Sequence, residues 1–343
     1  MPETSKISAE DLSNLVRQGF ERVGFPSGDA ETTAEILVTT DLMGISTHGV
    51  HRLEQYLKRV RAGVINPIPN ITVDDRAPAL AILNGDRGQG QVVAARALEL
   101  AMSKARANGI GYVGAKNSNH FGATAPYGYA ASVAVMALIC GTNASPAMAP
   151  FGGQDFKMGN NPLGFAAPRR AGAPFMLDIA MSVAARGKMR KLRDTGKQMP
   201  DGWALDVDGN PTTDPSAGLN GFIQFIGGHK GYGLSLMVDI LSGLLSGGHF
   251  LEDVGDMWAE TEPQGVSHFF IVIDPIRLLG AGNYYDRMDR FIETIKLSTP
   301  SKEDEKILIP GETEYRAIQK HRKSGIPITK ELLAKIKHLT SGE

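Results

Sequence analysis

The sequence predicts a layered, mixed α/β fold with helical segments at both ends, particular in its topology and not a Rossmann fold. Three observations predict it. Helical periodicity governs the N-terminal quarter, short apolar runs alternate with helices through the middle, and the stretch after Tyr284 turns helical again.

Ser8-Ala9-Glu10-Asp11 has the form of a capping box, and Leu12, Val16, Phe20 and Val23 follow at helical spacing, so an amphipathic helix opens the chain. A second helix is expected from about Ala30 to Met43. A third should run from about Val50 to Arg61, stopped by Gly63 and the breaker-rich Asn66-Pro67-Ile68-Pro69. Ala79–Leu83 then reads as a strand, followed by a helix from about Val92 to Asn108 that Gly109 closes. Strands are expected at Ile110–Val113 and Val135–Cys140, with a helix starting near Thr124 between them. Phe175–Leu177 and Phe269–Ile273 are further strand candidates, flanking a helix from about Gly233 to Leu245. Thr329 is placed to cap the last helix.

With 343 residues, 42% of them hydrophobic, the chain has material for a substantial core. Lys and Arg number 36 against 37 Asp and Glu, and no block of like charge stands out, which argues against a nucleic-acid or membrane-surface partner. The first residues lack the basic patch and apolar run of a signal peptide, and the apolar stretch Tyr232–Leu245 is broken by Asp239, so a cytoplasmic location is expected. Cys140 is the single cysteine, so no intrachain disulfide forms; its apolar run makes it a buried hydrophobe.

Three segments carry candidate chemistry. In Ser46-Thr47-His48-Gly49-Val50-His51-Arg52, a helix starting at His48 would set His48, Arg52 and Tyr56 on one face. An imidazole, a guanidinium and a phenol together suit a carboxylic-acid substrate: Arg grips the carboxylate, Tyr donates a hydroxyl, and His exchanges a proton near neutral pH. A solvated polar face is the alternative. Lys116-Asn117-Ser118-Asn119-His120-Phe121-Gly122-Ala123-Thr124 follows a strand and leads into a helix, an arrangement that favours phosphate or carboxylate at the helix start, or else is a turn built on Asn and Ser. Gly227-Gly228-His229-Lys230-Gly231 precedes an apolar helix and also favours phosphate, without the spacing of a P-loop.

Two motifs are rejected. Gly88-Gln89-Gly90-Gln91-Val92-Val93 begins like a dinucleotide fingerprint, but it ends in Val and no acidic residue lies near position 110. His48, His51 and His120 lack the acidic company of a metal site, and no metal is expected. His249, Trp203 and Trp258 are read as structural.

Taken in order, Thr47-His48-Gly49-x-x-Arg52, Asn117-Ser118-Asn119-His120-Phe121-Gly122, Asn161-Pro162-Leu163, Asp178-x-Ala180-x-Ser182, Pro200-x-Gly202-Trp203-Ala204 and Gly227-Gly228-His229-Lys230-Gly231 resemble the malate/L-lactate dehydrogenase family of the non-Rossmann type. The resemblance spans nearly the whole chain. It implies a homodimer binding NAD or NADP outside any Rossmann unit, with a small 2-oxo/2-hydroxy acid as substrate. It further implies a helical segment 1–70 carrying substrate residues, a central α/β cofactor-binding region 71–283, and a helical segment 284–343 packed on the first.

Matched by motif, the resemblance implies that His48 corresponds to the proton donor of the imine-reducing branch, with the Thr47 hydroxyl in a relay, and His120 to the proton acceptor of the hydroxy-acid branch. Arg52 grips the carboxylate, and Tyr56 and Asn160 lie on the substrate side. Cofactor contacts fall on His120, Phe121, Gly122, Ala123 and Thr124, on Asn143, on Asp178, Ile179 and Ala180, and on Gly228, His229 and Lys230. Lys188 stands where the imine-reducing members of the family place an Asp. A cation there suits a substrate oxyanion, which favours a hydroxy acid over a cyclic imine such as piperideine-2-carboxylate.

Overall fold

The computed structural model describes residues 3–302 and 305–341. The N-terminal part comprises β1 (Thr4–Ile7), α1 (Ala9–Arg22), α2 (Ser27–Leu42) and α3 (Leu53–Arg61). Ser8 caps α1 as expected, its hydroxyl accepting the Asp11 amide at 3.0 Å. Leu12, Val16 and Phe20 are fully buried on its inner face, each contributing roughly 1.5–3 kcal/mol.

The middle of the chain builds β2 (Thr72–Ala77), β3 (Leu80–Asn84), α4 (Gly90–Asn108), β4 (Ile110–Ser118), α5 (Ala125–Val133), β5 (Ala137–Thr142), β6 (Leu163–Ala167) and β7 (Phe175–Ile179). There follow α6 (Arg186–Asp194), β8 (Ala204–Leu205), β9 (Pro211–Thr212), α7 (Pro215–Asn220), β10 (Phe222–Ile223), α8 (His229–Asp239) and β11 (Val266–Ile273). The chain closes with α9 (Pro275–Leu279), α10 (Ala281–Lys296), α11 (Glu312–Ser324), β12 (Ile326–Thr329) and α12 (Lys330–Ser341), whose first turn Thr329 caps through the Leu332 amide.

The main sheet has seven strands in the order β2-β3-β4-β11-β5-β6-β7. Every neighbouring pair is antiparallel except β3 and β4, which α4 joins as a crossover. The expected strands are all present, most of them longer than their apolar runs. Of the strands that the sequence does not announce, β6 is a short apolar run, Leu163-Gly164-Phe165-Ala166-Ala167, and the others lack an apolar run of useful length. All six residues of β2 are exposed, β8–β10 have two residues each, and β12 is formed by pairing with β1 across the full length of the chain.

Two large cores result. One lies between α1–α3 and the C-terminal Ile318, Ile326, Ile328 and Ile336. The other lies under the sheet, where Ala94, Ala97, Ala101 and Ala105 let α4 approach Val113, Ala115 and Phe270 closely. The loop before α3 and the loop after β4 meet where these two layers join. Among the described residues no helix is long and apolar enough to cross a membrane.

Candidate active site

The path into α3 differs from expectation. Val50–Arg52 form a single 3₁₀ turn and the α-helix starts only at Leu53, so His48 is not on its face. The cause is Asp41, buried in the last turn of α2, whose carboxylate accepts the Val50 amide at 2.7 Å. A Cβ on Gly49 would stand 2.2 Å from that carboxylate, so only glycine passes it. Burial pushes the Asp41 carboxyl up to about 7. Gly49→Ala is expected to destabilise the protein by about 1–3 kcal/mol and to lower turnover by displacing the neighbouring His48; a urea-unfolding midpoint beside kcat checks both.

Tertiary packing nevertheless brings the expected residues together. The Thr47 hydroxyl lies 2.9 Å from His48 Nδ1, and the His48 and His120 rings stack at 5.7 Å. Tyr56 Oη lies 2.7 Å from His120 Nδ1, and Gln91 donates to that same oxygen at 3.3 Å. The Nδ1 side of each ring thus faces a hydroxyl, and Nε2 is the nitrogen each ring offers outward. Tyr56 was expected to orient substrate oxygens directly. It is 1% exposed and sits behind His120 instead, because the inner face of α3 carries it into the core.

The electrostatics follow from burial. His48 is held down at about 4, first by burial and then by the Arg52 charge. Burial, then His48, Arg52 and His268, hold His120 well below the ordinary histidine range. Tyr56 is pushed up to about 12 by burial, so its hydroxyl stays protonated. Gln264 accepts the His120 amide at 2.8 Å and fixes the loop after β4.

That loop is held from a second side by the rejected glycine motif. Gly90, at the start of α4, lies so close that a Cβ there would stand 2.2 Å from the His120 carbonyl oxygen. The glycine serves close approach to the His120 backbone.

Arg52 donates from Nε to the Thr47 carbonyl at 2.8 Å, and its guanidinium lies 5.2 Å from the centre of the Trp258 ring. Lys188 is not brought to this cluster. Its ammonium sits over the Trp203 ring at 4.8 Å, on an exposed face of α6. The α6 charge that bears on Arg52 is that of Arg190.

The residues expected to meet a cofactor form a rim continuing from His120. Gly122 has φ +90° and lies beside the His48 carbonyl. The buried Thr124 hydroxyl lies against the Asp178 carboxylate, opposing the upward push of burial on that group, and Asp178 also accepts the Ala125 amide at the start of α5 at 3.1 Å. Asp178, Ile179 and Ala180 connect through Met181 to the rest of the rim: Met181 donates its amide to the Asn160 carbonyl, and its own carbonyl accepts the Ile226 amide. Gly227 and Gly228, at φ +60° and +62°, then turn the chain into α8, leaving His229 and Lys230 exposed. Beside this turn a cavity of about 310 Å³ opens between Pro150, Lys157, Tyr232 and Phe250.

Two expected cofactor residues stand elsewhere. The Phe121 side chain is fully buried and stacks on His268 at 4.6 Å, since it lies over the sheet. The Asn143 side chain is occupied inside the fold, donating to Asp239 and the His249 carbonyl and accepting the Ser267 amide. Residues whose place at the site the sequence did not indicate include Asp41, Gln91, Gln264 and His268. His268, held at about 3 by burial, bridges the Thr142 and Ser118 hydroxyls of the strands on either side of β11. No local motif marks Asp41, Gln264 or His268, and Gln91 falls within the glycine motif that does not bind a dinucleotide in the Rossmann manner. Among the described residues no three metal-ligating side chains converge.

Comparison with known proteins bears on this geometry. The family model for malate/L-lactate dehydrogenase matches residues 7–337. A malate dehydrogenase of Pyrococcus horikoshii is 39% identical, covering 97% of this chain and 94% of its own. The NAD(+) ureidoglycolate dehydrogenase of Escherichia coli is 33% identical over 95% of this chain and 93% of its own. The solved sulfolactate dehydrogenase of Methanocaldococcus jannaschii superposes with a TM-score of 0.93 at 37% identity, covering 98% of this chain and 97% of that one. With the mixed seven-stranded sheet and the Thr47-His48-Gly49 and His120 loops in place, the chain belongs to the malate/L-lactate dehydrogenase family.

Proposed function

We propose that the protein is an oxidoreductase that transfers a hydride between NAD or NADP and a small 2-oxo/2-hydroxy carboxylic acid. One observation carries the reading. A guanidinium whose terminal nitrogens make no hydrogen bond to the described residues lies in one cluster with two imidazoles that present Nε2. Relatives named for malate, sulfolactate and ureidoglycolate support the substrate class.

In this reading Arg52 takes the substrate carboxylate on its terminal nitrogens. His120 or His48 holds the proton that moves between Nε2 and the substrate oxygen, while Tyr56 and Thr47 orient the two rings from behind. The Thr124 hydroxyl beside the Asp178 carboxylate, and the glycine turn with Lys230, fit the hydroxyl and phosphate groups of a dinucleotide. When bound, that cofactor supplies or accepts the hydride at C2. With Lys188 over Trp203, the additional positive charge beside Arg52 comes from Arg190, which keeps the preference for an anionic hydroxy acid over a cyclic imine.

The test is the near-ultraviolet absorbance of reduced nicotinamide, scanned for NADH and NADPH against 2-oxo acids and piperideine-2-carboxylate. Oxidation of one cofactor by an oxo acid is expected; activity with the cyclic imine alone overturns the substrate class, and silence overturns the reaction.

A pH profile follows from the same site. With His48 at about 4 and His120 also held low, the base in the free enzyme is neutral and competent at neutral pH. The kcat/KM for hydroxy-acid oxidation is therefore expected to stay level as pH falls from 8 to about 5 and to drop only below that, where His48 gains its proton near 4. A limb near 6.5, the ordinary histidine value, would overturn this placement of the base.

The reading includes a homodimer and a cytoplasmic location, where nicotinamide pools are found. Exposed Leu234, Met237, Ile240, Leu244 and Leu245 on α8 and the turn after it give such an interface an apolar face. Leu244→Asp is expected to shift the mass measured by light scattering from dimer to monomer.

A further inference from the structure

We infer that Trp258 is a positioning residue of the substrate site: its indole face sets the plane of the Arg52 guanidinium and thereby tunes affinity for the substrate carboxylate. The inference rests on the reading of Arg52 as the carboxylate grip.

A guanidinium has two flat faces and an edge of N–H donors, and a two-pronged grip needs that edge aimed in one fixed plane. At Arg52 the Nε corner is fixed by the Thr47 carbonyl at 2.8 Å, which leaves rotation of the terminal fork to be decided by whatever lies against its face. That neighbour is the Trp258 ring at 5.2 Å, within the range of cation–π attraction. Arg52 is partly desolvated, since burial is the first cause lowering its pKa, and cation–π contacts strengthen as water is removed.

The placement of Trp258 is not that of an idle surface residue. Trp258 is 53% exposed, so the ring gains little from burial by standing where it does. The loop that carries it is held by the helix that follows Arg52. Arg59, 2% exposed, donates its terminal nitrogens to the main-chain carbonyls of Asp256, Ala259 and Glu262. Gln55 donates to the Met257 carbonyl at 3.0 Å, and Asp256 accepts the Trp258 amide at 3.1 Å. A buried arginine that places its donors on loop carbonyls fixes the path of a loop, and this loop delivers an aromatic face to Arg52. One short segment, residues 52–59, therefore supplies the guanidinium, the Tyr56 hydroxyl behind His120, and both ties of the loop that stacks on the guanidinium.

The experiment compares KM and kcat for the best 2-oxo acid in wild type, Trp258→Ala and Trp258→Phe. Trp258→Ala is expected to raise KM about tenfold, the equivalent of about 1.4 kcal/mol and within the range of a desolvated cation–π contact. Its kcat should stay within about twofold, because no group that moves the proton is touched. Trp258→Phe, which keeps an aromatic face, should recover most of the KM. The chain has only two tryptophans, so Trp203→Phe isolates Trp258 emission. Oxamate, an unreactive isostere of a 2-oxo acid, is expected to change that emission saturably, and the change should vanish when Arg52→Ala is added. An unaltered KM in Trp258→Ala, or a loss of kcat without a change in KM, overturns the inference while turnover by the wild type leaves the functional reading standing. Absence of wild-type turnover with every oxo acid overturns the reading and this inference with it.

Discussion

His120→Ala lowers kcat for 2-oxo acid reduction by about a thousandfold, within the range contributed by a positioned general acid or base, and changes the substrate KM little. The His120 ring is positioned from three sides: Gln264 receives its backbone amide, the Tyr56 hydroxyl meets Nδ1, and the His48 ring stacks on its face. Nothing else in the cluster can take over its proton at the same place except His48, 5.7 Å away. His48→Ala is expected to cause a loss of similar size, because the His48 ring stacks on His120, helps to hold down its protonation and shares one site with it. Tyr56→Phe separates them, since it removes the hydroxyl that orients His120 while leaving the Thr47–His48 contact intact. It should lower kcat by roughly tenfold if His120 is the group that moves the proton, and leave kcat unchanged if His48 is. Steady-state kinetics decide the matter, and near-normal kcat in both His→Ala variants would sink the mechanism.

The second large effect is on binding. Arg52→Ala removes the guanidinium that meets the substrate carboxylate, and truncating one partner of a desolvated, hydrogen-bonded charge pair costs about 2–5 kcal/mol. An increase in KM of a hundredfold or more is expected, with a smaller loss in kcat because the misplaced substrate meets the imidazoles less often in a reactive geometry. Arg52→Lys should recover little of it. An ammonium lacks the Nε that donates to the Thr47 carbonyl and the flat face that lies on Trp258. A KM for Arg52→Ala within a few-fold of wild type would remove Arg52 from the substrate.

The elements that were legible in the sequence are those that local rules decide. The Ser8 cap starts α1 where the sequence places it, Gly109 ends α4 at φ +86°, and Thr329 caps the last helix. The order of the Thr47-His48-Gly49, His120 and Gly227-Gly228 segments was likewise enough to indicate the family and the chemistry. Tertiary structure decided how those segments meet. The predicted face of His48, Arg52 and Tyr56 assumed a continuous helix, and the Asp41 carboxylate replaces its first turn with a tight bend at Gly49. Tyr56 reaches His120 instead of the substrate because α3 buries one face, and Lys188 rests on Trp203 while Arg190 bears on Arg52. Propensities, caps and spacing act over a few residues, so one chain displays them directly. The contacts that complete the site join residues as far apart as 120 and 264, or 52 and 258. They exist only after the core has packed, and no pattern along the chain encodes which side chain will be waiting there.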